Sequence, residues 1–147
     1  METTAMLYWL CKKIDEVVTS NELGEIDTFL MRAMFGGREV PEPMKAFSVL
    51  DAIDEMTKQF ASYRQLYERL SEVAHPNWRG VHGAYAQTDV RKHIERLGPE
   101  FSQLHAITGL VPLLASLEAS KFYYDRLSGL LPSFIEICEA DIGSQNV

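Results

Sequence analysis

The chain has only two cysteines, Cys11 and Cys138, near opposite ends of its 147 residues, and neither belongs to a C-x-x-C or Cys/His pattern. A disulfide framework and a cysteine-held metal are thereby excluded as the basis of the fold, and both residues read as reduced, mostly buried thiols. Long hydrophobic runs are also missing. The longest, residues 107 to 117, contains Gly109 and Pro112 and is too short to span a bilayer, so no membrane segment is expected. There is no glycine-rich phosphate loop, no nucleophile elbow and no pair of catalytic carboxylates on separate elements. No cofactor and no resident metal follow from the sequence. Glu2 comes early and Lys12 and Lys13 only after the apolar residues, the reverse of a secretory signal, which points to the cytoplasm.

What is present is ordinary globular composition: 46% hydrophobic and 24% charged residues, enough for one domain spanning residues 1–147 with a single core. A net charge of -7 argues against broad attraction to a polyanion. The charge is uneven, however. Residues 61–98 hold six basic groups against four acids, a local balance of +2 that leaves -9 elsewhere, and His75, His82 and His93 fall in the same stretch. An anionic ligand would be expected there.

Helical periodicity dominates the remainder. Leu7, Leu10, Ile14 and Val17 form one stripe, with Lys12, Lys13, Asp15 and Glu16 pointing away from it. After a break near residues 21–24, Ile26, Phe29, Leu30, Ala33 and Met34 form a second, ended by Gly36 and Gly37 as left-handed helix stops. Residues 38–43, with two prolines, read as a connector. A third helix is predicted over residues 44–58 and a fourth over 61–74, closed by Pro76 because the residue before a proline is pushed out of helical geometry. Residues 76–98 read as one irregular excursion, equally compatible with loop, hairpin or short helix. Gly98, Pro99 and Glu100 then open a helix that is apolar nearly all round from Phe101 to Tyr124, the signature of a central helix surrounded by others. Pro112 should kink it. Gly129 and Pro132 should bend the chain before a last short helix over residues 133–140, and residues 142–147 read as a frayed tail. The fold expected is an all-α bundle of five or six helices.

Chemistry concentrates at the end of the fourth helix, where Arg69, Glu72 and His75 run into Pro76, Asn77, Trp78 and Arg79. Arg69 and His75 each stand three residues from Glu72, so a solvent-facing ion-pair ladder accounts for all three. His75 and Asn77 can equally serve the helix end, and Trp78 can cover the bend. Glu72 with His75 is also the E-x-x-H spacing of carboxylate-bridged metal bundles, but a second such pair is absent. Arg91, Lys92 and His93, with Arg96 nearby, form a short basic run able to touch phosphate, although Glu95 sits among them.

Arg69, five residues and His75 resemble the R-x(4-6)-H motif of the HEPN families, small all-helical proteins of which many are dimeric ribonucleases with the motif in the cleft between subunits. The longer string from Tyr67 to Asn77, Y-x-x-L-S-E-x-x-H-P-N, is similar to one in uncharacterised bacterial helical proteins. The resemblance implies a metal-independent RNA endonuclease in which His75 takes the 2′-hydroxyl proton, Arg69 holds the phosphoryl oxygens and Glu72 orients one of them. The reading preferred from the residues themselves is a non-catalytic interaction or regulatory protein. Its binding surface would comprise His75, Asn77, Trp78 and Arg79, with Arg91, Lys92 and His93. A homodimer and an unknown protein partner are expected, with RNA as the partner under the ribonuclease alternative.

Overall fold

The computed structural model describes residues 1–37, 39, 45–74, 82, 85–99 and 103–145. Among them are five helices, α1 (Glu2–Ser20), α2 (Ile26–Phe35), α3 (Val49–Gln59), α4 (Tyr63–Ala74) and α5 (Gln103–Gln145). A two-stranded hairpin, β1 (Ala86–Asp89) and β2 (Ile94–Leu97), interrupts them. The chain is thus all-α with one small β excursion, which settles residues 86–97 as a hairpin.

The central element is α1, with α3 on one flank, α5 on another and α2 at its C-terminal end. Its buried residues include Thr4, Ala5 and Cys11, small side chains that let two neighbours approach, followed by Ile14 and Val17. Ala5, Ala52, Ile53 and Met56 make one core cluster, joined by Tyr8, Trp9, Tyr63 and Tyr67. Ile14, Val17, Ile26 and Phe29 make the other, closed by Leu127, Leu130, Phe134 and Ile137 of α5. Trp9, Phe29 and Phe47 meet with ring centroids 4.7 to 5.2 Å apart, and the Arg32 guanidinium lies 4.1 Å over Phe47.

The charges expected to point away from α1 are partly absorbed by its neighbours. Lys12 and Lys58 both donate to the nearly buried Glu55 carboxylate, and Arg126 of α5 lies 3.1 Å from Asp15. The two lysines hold the Glu55 carboxyl below the usual range, against the opposing push of burial. Thr4 donates to the Ser116 carbonyl at 3.2 Å and shares a 2.9 Å hydrogen bond with Ser120, while Tyr8 meets Tyr123 edge-on. Partners thus rise together along both helices, so α1 and α5 run parallel.

Helix boundaries follow local chemistry. Asn21 closes α1 in the left-handed region at φ 57°, a conformation its short polar side chain tolerates. Gly36 does not play the corresponding part for α2, because its φ is -62°. Glycine is required there by crowding: a Cβ would stand 2.4 Å from the Arg32 carbonyl oxygen and 2.6 Å from the Ala46 Cα. The third helix begins at Val49, five residues later than predicted. Ser48 caps it, accepting from Leu50 N while the Asp51 side chain accepts from Ser48 N.

The largest departure is α5. The bend expected near Gly129 and Pro132 and the separate last helix are replaced by one helix of 43 residues holding both Pro112 and Pro132, about 65 Å long at 1.5 Å per residue. Each proline removes a donor and costs about 3 kcal/mol or more. Packing of Leu127, Leu130, Phe134 and Ile137 on both sides of Pro132 offsets that cost. Helical structure reaches Gln145, within the segment expected to fray.

Two stability outcomes follow. Ile53→Ala, at a side chain with 0% exposure, should lower the unfolding free energy by about 2–5 kcal/mol in urea titration. Pro132→Ala, at an exposed helical position, should raise it by about 1–3 kcal/mol. A third concerns acid. Because the folded Glu55 carboxyl has a depressed pKa, its contribution is present above the ordinary carboxylate range and lost as pH falls through the folded value. Glu55→Gln should therefore flatten the decline in urea midpoint between about pH 6 and about pH 3.

Candidate functional site

On α4 the apolar side turns toward the start of α1. Tyr63 OH donates to the Met1 carbonyl at 2.7 Å and Tyr67 OH to a Glu2 carboxylate oxygen at 2.9 Å. Burial pushes the Tyr63 phenol up to about 12. The opposite side carries Arg69 and Glu72, both exposed. The Arg69–Glu72 rung of the expected ladder does not form, since neither takes part in an ion pair among the described residues, and its His75 rung lies outside them. Arg64 forms the pairs of this helix, with Asp54 at 2.5 Å and Glu68 at 2.7 Å, because it stands four residues before Glu68 and beside α3. His75, Asn77, Trp78 and Arg79 lie outside the described residues.

Arg91, Lys92 and His93 occupy the loop of the hairpin, all exposed. Strand register pairs Asp89 with Ile94, leaving four residues for the turn. The Asp89 side chain organises it, one carboxylate oxygen accepting from both Arg91 N and Lys92 N at 3.2 Å while Lys92 Nζ lies 3.6 Å from the other. His93 closes the loop at φ 52°, left-handed and uncommon for a residue that is not glycine. On β2, Glu95 takes His82 Nε2 as partner. The basic run is therefore interleaved with Asp89 and Glu95 carboxylates, which weakens it as a phosphate site.

Among the described residues no group of three or more His, Cys, Asp or Glu side chains is placed to hold a metal ion, and no helix is long and apolar enough to cross a membrane. Both cysteines are free, Cys11 buried and Cys138 half-buried, with burial raising each thiol above its ordinary pKa. Neither is poised as a nucleophile.

The feature that the sequence reading missed lies on α5. Its side toward the rest of the bundle is a row at alternating spacings of four and three: Ser116, Ser120, Tyr123, Leu127, Leu130, Phe134 and Ile137. A second row, shifted by about one residue, has the same spacing. It runs Leu110, Leu114, Leu117, Lys121, Tyr124, Ser128, Leu131, Ile135, Cys138 and Ile142. The shift sets the two rows about 100° apart around the helix. All of the second row is exposed except Cys138, its large apolar members ranging from 38% exposure at Leu131 to 63% at Tyr124. Among the described side chains, the helix expected to be surrounded is covered along one side only. Alternating four-three spacing over 32 residues was the available signal, obscured because apolarity all round reads as complete burial.

Comparison with known protein families, with curated proteins and with solved structures finds no match.

Proposed function

We propose that this chain is a non-catalytic helical interaction protein whose working surface is the open row of α5. The observation that supports the reading is that row itself: seven large apolar side chains, Leu110, Leu114, Leu117, Tyr124, Leu131, Ile135 and Ile142, exposed along a single helix. Soluble monomers rarely expose a contiguous apolar patch beyond a few hundred Å², and larger ones mark interaction sites. A helix presenting such a row suits a partner that is itself helical, because spacings of four and three admit knobs from a facing helix.

Catalysis draws less support. The exposed Arg69 guanidinium and Glu72 carboxylate have no ion-pair partner among the described residues to fix their positions, and the basic hairpin loop is partly neutralised by its own acids. Purified chain incubated with structured RNA in EDTA should leave the RNA intact. Cleavage that disappears in Arg69→Ala and in His75→Ala would overturn the non-catalytic reading in favour of the HEPN-like ribonuclease.

A further inference from the structure

We infer that the cleft between α1 and α2 binds a small linear zwitterion, a molecule that carries a carboxylate and an ammonium group about 10 Å apart on a hydrocarbon chain. None of its residues belongs to the open row of α5, so the site stands apart from the interaction surface proposed above.

Shape sets the size of the ligand. The chain turns back at residues 21–25, and α2 retraces α1 closely enough for Phe29 to meet Trp9 with ring centroids 5.2 Å apart. Between the two helices lies a cleft of about 320 Å³, the lower end of the range for small-ligand sites. Val17, Ile26 and Phe29 line it, each at most 7% exposed, and Phe47 adds an aromatic wall. Apolar walls of this kind favour the hydrocarbon part of a ligand.

Charge selects the two ends. Lys13 and Glu16, both on the cleft, satisfy each other at 2.7 Å. Arg32, Glu22 and Glu25 line the same cleft, and none of the three takes part in an ion pair among the described residues. They are segregated. Glu22 and Glu25 stand at the turn, whereas Arg32 follows Glu25 by seven residues, about 10.5 Å further along α2 and within about 20° of the same angular position. A lone anion would meet the two carboxylates and a lone cation the guanidinium, while a molecule bearing one of each, in matching order, is attracted at both ends.

The cationic end is also fixed in place. Arg32 Nε donates to the Lys45 carbonyl at 2.8 Å, and the guanidinium lies 4.1 Å over the Phe47 ring. Its terminal nitrogens are thereby held ready for a carboxylate at a smaller ordering cost than a free arginine would incur.

Titration calorimetry on the full chain with octanoate aminated at its terminal carbon tests the site, since the charged ends of this aminooctanoate stand about 10 Å apart when extended. Octanoate and octylamine each keep one charged end and should bind at least about tenfold more weakly. In Arg32→Gln the advantage of aminooctanoate over octylamine should vanish while its advantage over octanoate persists. In Glu22→Gln combined with Glu25→Gln the opposite should hold. Both glutamates are exposed, so this second variant keeps the site testable where Arg32→Gln also disturbs Phe47. No binding of aminooctanoate at millimolar concentration, equal affinity for all three molecules, or losses that do not divide according to the charge removed would each overturn the zwitterion site.

Discussion

The parallel contact between α1 and α5 is the constraint on which the remaining architecture depends. It closes both core clusters: Tyr123 reaches the one built on Ala5 and Ile53, and Leu127, Leu130, Phe134 and Ile137 cover the one built on Ile14 and Phe29. The polar contacts, Thr4 with Ser116 and Ser120 and Asp15 with Arg126, fix register more than they add stability. A one-residue slip of α5 would exchange its half-buried row for the exposed one. Hydroxyl pairing at one end and an ion pair further along oppose such a slip, as polar groups in helix interfaces commonly do.

Packing along one of its two rows explains how α5 persists through two prolines. The apolar side chains needed for a second seam make the helix hydrophobic nearly all round, and its order is then supplied by neighbours. α1 supplies part. The remainder is left open to solvent, and the covered and open rows are distinct because they lie about 100° apart.

Much of the architecture was legible in the residues. The α1 and α2 stripes, the break after Ser20 and a fourth helix within residues 61–74 follow from periodicity. The start of α3 carried a signal in the Ser48 and Asp51 capping pair, yet the predicted helix over residues 44–58 took in Phe47, which belongs to the aromatic cluster with Trp9 and Phe29. What could not be read was which helix lies at the centre. Lys12 and Asp15 make one face of α1 appear solvated, and only the folded chain brings Glu55 and Arg126 to them. Of the candidate site, Arg69, Glu72 and the hairpin loop are exposed as polar residues usually are. The apolar row of α5 went unrecognised because periodicity reports which side chains are hydrophobic and says nothing about which of two equivalent faces has company.

The separation in sequence between Thr4 and Ser120 has a consequence for biogenesis. The 112 to 116 positions that part α1 from its contacts on α5 mean that the first helix leaves the ribosome long before its mate is made. Until then the Ile14 and Val17 side of α1 lacks the Leu127 and Phe134 side chains that cover it, an invitation to holdase chaperones. A translation product that stops before α5 would therefore leave that side of α1 without its cover.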